Sequence, residues 1–335
     1  MFKSATIYAI SPRDSLSPTT LGVALASMPF IACGPTQALS TGWVPPRGEV
    51  GGDLVESYNG CCLLTLMTEK KSVPSSALKA EVAAIAERIQ TATGRKLSRR
   101  ELKDLKDEAA LTLLPRAFGR QAKFRVWLNP ETATVVIDAG SHGGADLVAT
   151  QLLRVLPSGM SMVRLQSDCA AGARMSAWLM DADSMPPNFE IGDAVELIAP
   201  KVGGGKSKAR FAAHSLSDPN VVAHLASGKV PARLALTWFG RLSFVIDTTL
   251  RMKAFKRLDA ANVQASNSDS GKDEFDADLA LLSGDLTALV SEIGDAFSGV
   301  ETRLEELGHD AIFANTHPKI RLNVAGLAAS ESLAA

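Results

Sequence analysis

Three strand-like runs follow one another between residues 232 and 258, and they constrain the fold more than any other feature of the sequence. The runs are ARLALTW (Ala232–Trp238), RLSFVID (Arg241–Asp247) and LRMKAFKRL (Leu250–Leu258). Only two residues separate each run from the next. Because parallel neighbours need a long crossover, turns this short predict antiparallel pairing. The sequence therefore favours an α+β fold, with antiparallel sheets and packed helices, over a parallel nucleotide-binding sheet.

The chain up to residue 168 is predicted to form a first α+β half. Residues 1 to 70 have the pattern of short strands and turns: TIYAI (Thr6–Ile10) is an opening strand, GWVPPRG (Gly42–Gly48) an extended turn and CCLLTLMTE (Cys61–Glu69) a buried strand. Apolar residues at helical spacing, Leu78, Val82, Ile85 and Ile89, then predict a helix that Gly94 ends.

A second helix is marked by a capping box. Ser98 and Glu101 have the S-x-x-E spacing, so the helix starts near Arg99, and Pro115 ends it. AKFRVWL and ATVVIDA, joined by NPET, follow as a hairpin with one apolar face and one basic and aromatic face that includes Trp127. A helix at 144–156 and a strand around MVRLQ complete this half.

Residues 169–300 are predicted to form a second α+β half. It combines a helix (GARMSAWLMD), a strand (DAVELIA), the three antiparallel runs and a late amphipathic helix (DADLALLSGDLTALVSEIGDAF). The polar segment NVQASNSDSGKDE and the tail at 301–335 are expected to be mobile.

Positive charge is concentrated in residues 94–125, although the chain has a net charge of −1. This stretch holds ten basic and four acidic residues, a local net charge of +6. At about 100° per residue, Arg99, Lys103 and Lys106 lie within about 60° of one another and form a ridge along the helix.

Two interpretations of this stretch are open. Arg100 with Asp104 and Lys103 with Asp107 have the i,i+4 spacing of ion pairs, which favours an ordinary solvated helix face. The next segment, LPRAFGRQAKFR, has four basic residues and no acid, which favours contact with a sugar-phosphate backbone. Phe118 in this segment is either a core plug or an exposed aromatic that stacks on or wedges against bases.

Two further basic groups lie later in the chain and leave the same alternatives open. They are Lys201, Lys206, Lys208 and Arg210, and then Arg251, Lys253, Lys256 and Arg257. Because the total charge is close to zero, such grouping implies that the acids lie elsewhere, as in a protein with one positive surface.

The sequence offers weak signals for catalysis. GGGKS (Gly203–Ser207) resembles the end of a phosphate-binding loop, and Asp247 ends an acidic strand, so a P-loop-like nucleotide hydrolase is the alternative function. Pro200, however, occupies the position of the first glycine. The acids are scattered, and no cysteine or histidine spacing predicts zinc, so we expect no catalytic residue, metal or cofactor.

The expected location is the cytoplasm. The four cysteines lack a CxxC pair, which favours a reduced protein. The longest apolar candidate, LGVALASMPFIACG, contains Pro29 and is too short to span a bilayer, so no membrane partner is expected.

With these residues in view, the sequence resembles the recombination-associated protein RdgC family. The similarity rests on LASMPFIACG, GWVPPRG, LKDEAALTLLPRAFGR, SGKVPARLALTWFGRLSFVID, LRMKAFKRLD and FDADLALLSGDLTAL, in the family's order over about residues 1 to 300. Where relatives carry a basic run before SGKV, this chain retains only Arg210.

The resemblance implies a non-enzymatic, nucleoid-associated protein that binds double- and single-stranded DNA without sequence preference. It also implies a horseshoe-like α+β subunit that closes into a ring-shaped homodimer around DNA and limits access of RecA to DNA. The LLPRAF motif corresponds to Leu113–Phe118, which makes Arg116 and Phe118 the leading contacts. The predicted DNA-binding residues are Arg95, Lys96, Arg99, Arg100, Lys103, Arg116, Phe118, Arg120, Lys123, Arg125, Lys208 and Arg210.

Overall fold

The computed structural model describes residues 2–12, 16–167, 171–200, 206–213, 215–216, 218–258 and 271–297. The helices in these residues are α1 (Pro18–Ala26), α2 (Ser75–Thr93), α3 (Arg99–Leu113), α4 (His142–Val155), α5 (Ala171–Met180), α6 (Pro219–Ala226) and α7 (Gly271–Ala296). The strands are β1 (Ser4–Ser11), β2 (Leu39–Val44), β3 (Glu56–Tyr58), β4 (Cys61–Lys71), β5 (Gly119–Asn129), β6 (Thr134–Ile137), β7 (Ser161–Arg164), β8 (Phe189–Pro200), β9 (Lys206–Ala212), β10 (Val230–Trp238), β11 (Leu242–Asp247) and β12 (Met252–Arg257). The predicted α+β class is confirmed.

The chain divides into two compact units. The first contains the described residues of Met1–Leu165 and Gly240–Leu286, and the second those of Gln166–Phe239 and Thr287–Ala335. In the first unit the strand order is β2-β4-β5-β6-β1-β12-β11, with β3 beside β4 and β7 beside β1. In the second unit β8 lies between β10 and β9. Every strand pair within each unit is antiparallel, including β11 with β12, which confirms the antiparallel pairing predicted for the second and third of the three runs.

One face of β4 and β5 forms the core of the first unit. Leu64 pairs across the strands with Val126, and Leu66 with Phe124, so their side chains share a face. Buried residues of α1 and α4, such as Leu21, belong to the same cluster. This core fixes β4 and β5, and so fixes the loop that leads into β5.

Helix α1 lies in a segment for which the sequence predicts short strands and turns, and that part of the prediction is wrong. Ser17 caps the helix, because its Oγ accepts a hydrogen bond from the Thr20 N–H at 3.2 Å. Pro18 occupies the first turn, and Leu21 and Leu25 are buried. A serine before a proline is a helix-start signal that the strand pattern of the neighbouring segments concealed.

The expected basic and aromatic face of β5 is only partly correct. Trp127 shares a face with Lys123 and Arg125, but it is fully buried, and its Nε1 donates to the Ser283 Oγ of α7 at 3.2 Å. Helix α7 thus covers this end of the face. Trp127 is a core residue of the first unit and offers no aromatic surface to a ligand.

Several local predictions are confirmed. Helix α2 ends before Gly94, whose φ is 71°, and α3 begins with the capping box of Ser98 and Glu101. GWVPPRG is half strand and half turn: Gly42–Val44 end β2, and the Gly48 N–H donates to the Pro45 carbonyl at 3.0 Å. The segment predicted to be mobile lies outside the described residues up to position 270, and its last four residues open α7. The tail at 301–335 lies outside them entirely.

His142, at the start of α4, is held in its neutral form by the groups around it. Arg164 Nη1 donates to its Nδ1 at 2.7 Å, so the ring proton is on Nε2, which donates to Thr249 Oγ1 at 3.0 Å. The Thr249 hydroxyl in turn donates to Asp247. Burial, followed by the charges of Arg251 and Arg164, lowers the pKa of His142 below its ordinary value.

We expect this histidine to make the protein less stable in mild acid. A pKa that is lower in the folded than in the unfolded chain gives stability that is present above the unfolded value, about 6.5, and is lost as the pH falls below it. Urea unfolding at about pH 7.5 and pH 5.5 should show a larger loss for the wild type than for His142→Gln, which does not titrate. An equal loss in the two proteins would show that His142 does not contribute.

Candidate nucleic-acid interface

The turn between α2 and α3 is fixed by an ion pair. Arg95 donates to both carboxylate oxygens of Glu101, at 2.6 Å and 3.1 Å. The hydrogen bonds from Arg95, followed by those from Ser98, lower the pKa of Glu101 to about 2. The charge of Arg95 is therefore partly compensated at the turn, whereas Lys96 is exposed and lacks such a partner among the described residues.

The basic ridge on α3 is exposed to solvent. Leu105 and Ala109 are the buried residues of this helix, and they lie on a different face from Arg99, Lys103 and Lys106. Arg100 with Asp104 and Lys103 with Asp107 form no ion pairs in the described part of the chain. The i,i+4 pairing that favoured an ordinary solvated face is thus not formed by direct contacts.

The loop after α3 presents an aromatic side chain to solvent. Pro115 ends the helix in a short 3-10 turn, Leu114–Arg116, whose first residue is buried. Phe118 then has 94% of its surface exposed, and Arg116 and Arg120 on either side are also exposed. Of the two alternatives for Phe118, the core plug is therefore wrong and the exposure of the aromatic ring is confirmed, whereas its contact with bases stays a prediction.

Gly119 lies close to the Glu69 side chain where this loop enters β5. A Cβ on this residue would meet the carboxylate of Glu69, with its Cδ only 2.7 Å away. Glu69 is itself held by the Cys33 N–H, which donates to its Oε2 at 2.9 Å. The backbone of Gly119 is therefore packed against the Glu69 side chain, and the residue before it, Phe118, is exposed.

The strand register adds a basic residue that the sequence alone does not reveal. Lys70 on β4 lies directly opposite Arg120 on β5, and both side chains are exposed. Like charges at this position repel each other across a sheet. Only the register shows this pair, because the two residues are 50 positions apart in the sequence.

The same register separates the basic residues of β5. Arg120 is on the face that continues the core side, whereas Lys123 and Arg125 are on the other face. Lys123 is exposed, and Arg125 lies opposite the buried Thr65. The structure thus places Arg120 with Lys70 rather than with the other two basic residues of its own strand.

The basic group of the second unit lies on β9. Lys208 and Arg210 are exposed, and Lys208 Nζ forms an ion pair with Glu196 Oε1 at 2.8 Å. Lys201 lies outside the described residues, and Lys206 is the first residue of β9.

Two of the four residues in the third basic group, Arg251 and Arg257, form ion pairs within the protein. The buried Arg251 binds Asp247 at 3.0 Å, and Arg257 binds Asp285 at 2.7 Å. These two arginines fix elements of the first unit, so the third group offers less charge to a ligand than the sequence indicated.

The P-loop alternative does not fit the structure. In such loops the lysine and the following hydroxyl residue stand at the start of a helix, but here Lys206 and Ser207 begin β9 and pair with β8. Asp247, the acid assigned to magnesium, accepts hydrogen bonds from Arg251 and Thr249. Within the described residues, no three acids, histidines or cysteines come together in a metal-binding group.

No helix among the described residues combines the length and the apolar character needed to cross a lipid bilayer. This finding agrees with the apolar stretch at 21–34, which the structure divides between α1 and the residues that follow it.

Fold and surface together define an antiparallel α+β protein with an exposed basic surface and an exposed aromatic residue. The chain belongs to the RdgC family. The family model described as "Putative exonuclease, RdgC" matches residues 1–300. The resemblance found in the sequence is thereby confirmed.

Three relatives, each named recombination-associated protein RdgC, show how far the similarity extends. The protein of Dechloromonas aromatica is 34% identical over 302 residues, which is 89% of this chain and 97% of the relative. The proteins of Janthinobacterium sp. and Cupriavidus necator are each 33% identical, over 299 and 301 residues, and in each case the match covers 89% of this chain and 98% of the relative.

Proposed function

We propose that this protein binds DNA without sequence preference through the surface around the α3–β5 loop. The observation that carries the proposal is the 94% exposed Phe118 between the exposed Arg116 and Arg120. An aromatic side chain this exposed contributes little to the core, although Leu114 of the same loop is buried and Gly119 lies close to Glu69. A fixed aromatic for stacking and two cations for phosphates form a common arrangement for nucleic-acid binding.

The repulsion between Lys70 and Arg120 supports an anionic partner. Two cations directly opposite each other on neighbouring strands lower stability, and a phosphate between them would remove that cost. The basic ridge of α3 adds positive charge to the same unit. Because the chain as a whole is nearly neutral, this field is local.

The family relationship extends the proposal. The relatives are named as recombination-associated proteins. On that basis we propose a non-enzymatic, nucleoid-associated protein of the cytoplasm that forms a ring-shaped homodimer around DNA and limits access of RecA to it. Analytical ultracentrifugation should give a dimer. A closed ring should also stay on circular duplex at high salt but leave linear duplex through its ends, and equal release from both would contradict the ring.

The salt dependence of binding tests the proposed DNA contact directly. Anisotropy of labelled duplexes of equal length but different sequence should give similar affinities, which fall steeply between about 50 and 200 mM salt, by about 0.9 logarithmic units per phosphate contact and tenfold change in salt. A labelled single strand should bind with a slope of about 0.7 per contact. A flat response, or affinities that differ widely between sequences, would contradict the proposal.

An incubation with nucleic acid and nucleotide tests the absence of catalysis. End-labelled duplex and single-stranded DNA with Mg²⁺ or Mn²⁺ should be recovered at full length, and ATP should release no phosphate with or without DNA. Shortened DNA would support an exonuclease, and released phosphate would restore the nucleotide-hydrolase alternative.

Arg116→Ala should weaken binding to every sequence alike. If the guanidinium neutralises one phosphate, the slope of the salt plot falls by about 0.9 and the affinity at 0.1 M salt falls about eightfold. Arg154→Ala removes an exposed arginine of α4 outside the basic groups and should change neither quantity. Wild-type binding by Arg116→Ala would remove Arg116 from the interface.

A further inference from the structure

Glu196 on β8 is surrounded by basic residues of the two neighbouring strands. Arg210 on β9 and Arg233 on β10 lie directly opposite it. Lys208 Nζ is 2.8 Å from Glu196 Oε1, and Arg233 Nη1 is 3.6 Å from Oε2. The second unit thus carries three cations grouped around one acid.

These four side chains lie on the solvent side of the three-stranded sheet. The residues of β8 on either side of Glu196, Val195 and Leu197, are buried, so their side chains form the core face. The side chains of Lys208 and Arg233 are 57% and 50% exposed. Arg210 is exposed as well, and in the described part of the chain it has no ion-pair partner.

The group keeps an excess of positive charge. The hydrogen bond from Lys208 outweighs burial and, with the charges of Arg233 and Arg210, lowers the pKa of Glu196, so the carboxylate is ionised at neutral pH. Three cations and one anion leave a net charge of +2. Since 3.6 Å is too long for a hydrogen bond, the guanidinium of Arg233 keeps donors for another oxygen.

We propose that Arg233, together with Lys208 and Arg210, binds DNA phosphates on the second unit, and that Glu196 holds this group on the sheet and lowers its affinity for phosphate. This inference rests on the proposed function. Adjacent strands are about 4.8 Å apart, so the backbones of β9 and β10 lie about 10 Å apart on the two sides of β8. Lys208 and Arg233 nevertheless reach the same carboxylate between them, so their cationic groups are closer together than their strands.

Arg233 gave no signal in the sequence because it lies inside the apolar run ARLALTW, apart from the basic groups. Only the pairing of β8 with β10 places it beside Glu196. Arg233 is thus a candidate phosphate contact on a strand that the sequence predicts only as part of the sheet.

The decisive variant is Arg233→Ala, measured by anisotropy on labelled duplex over a range of salt. We expect the salt slope to fall by about 0.9 and the affinity at 0.1 M salt to fall about eightfold, while Arg233→Lys keeps a slope near that of the wild type. Arg154→Ala is the control for loss of an exposed arginine, and urea unfolding of each variant shows that the fold is kept. A merely structural ion pair would change stability but not the salt slope.

Glu196→Gln tests the second half of the inference. Glutamine still accepts a hydrogen bond from Lys208 but carries no charge, so binding to all sequences should become several-fold tighter. Unchanged or weaker binding would show that Glu196 does not limit affinity.

The outcomes separate this inference from the proposed function. A steep salt dependence in the wild type with the same slope in Arg233→Ala would overturn the role of Arg233 and leave DNA binding intact. A flat response in the wild type would overturn both.

Discussion

Replacing Gly42 with alanine is expected to lower the free energy of unfolding by about 3 kcal/mol or more. A Cβ at this position would lie 2.6 Å from the carbonyl carbon of Pro29 and still closer to the backbone of Phe30. Backbone atoms cannot move aside as a flexible side chain can, so the whole segment must shift.

The segment that would move is tied to β2 by two hydrogen bonds. The Phe30 N–H donates to the Trp43 carbonyl at 3.1 Å, and the Trp43 N–H donates to the Met28 carbonyl at 2.9 Å. Trp43 is among the largest fully buried side chains. Displacement of Phe30 would therefore break this pairing and loosen the core around Trp43.

Urea unfolding monitored by circular dichroism measures this effect, with Gly22→Ala as the matched control. Gly22 lies in α1, and the nearest atom to an added Cβ is Val55 Cγ2 at 4.0 Å. Alanine in a helix with room for its methyl group should stabilise the protein by roughly 0.5–1 kcal/mol. If Gly42→Ala unfolds with the wild-type midpoint, the close backbone contact does not exist in solution.

Features that depend on a few neighbouring residues could be predicted from the sequence. The capping box of Ser98 and Glu101 gave the start of α3, and Gly94 gave the end of α2. Two-residue connections gave the antiparallel pairing of β11 and β12. In each case the residues that determine the structure lie within a few positions of one another, so local rules are sufficient.

Features that depend on distant partners could not be predicted. Trp127 belongs to a strand face with two basic residues, and nothing near it in the sequence shows that α7 covers it. Lys70 meets Arg120 only because of the register of β4 and β5. The need for glycine at position 42 likewise arises from a segment that returns beside β2.

The basic stretch at 94–125 contains features of both kinds, some that the sequence predicts and one that it does not. Its charge and its helical ridge were evident from the sequence, but the exposure of Phe118 was not, because a proline and a glycine beside a phenylalanine occur in buried and exposed turns alike. In the structure Leu114 before it is buried, Gly119 after it lies close to Glu69, and the Phe118 side chain itself is exposed. The structure therefore supplies the single feature on which the proposed site depends.

Phe118→Ala is expected to weaken binding to single-stranded DNA by about 5- to 150-fold, which corresponds to the ~1–3 kcal/mol of one aromatic stacking contact. Because the side chain is 94% exposed, its removal should leave the urea midpoint unchanged. The loss of affinity for duplex DNA should be smaller, since the bases of a duplex are already stacked on one another.

The salt dependence separates Phe118 from the arginines beside it. Stacking releases no counterions, so the salt slope of Phe118→Ala should equal that of the wild type, whereas Arg116→Ala should lower it. Phe118→Trp should keep the affinity because it keeps an aromatic face, and Leu111→Ala, which removes an exposed apolar residue of α3, should have no effect. Unchanged binding by Phe118→Ala would exclude stacking, and a lowered slope would mean that the substitution moved Arg116 or Arg120 instead.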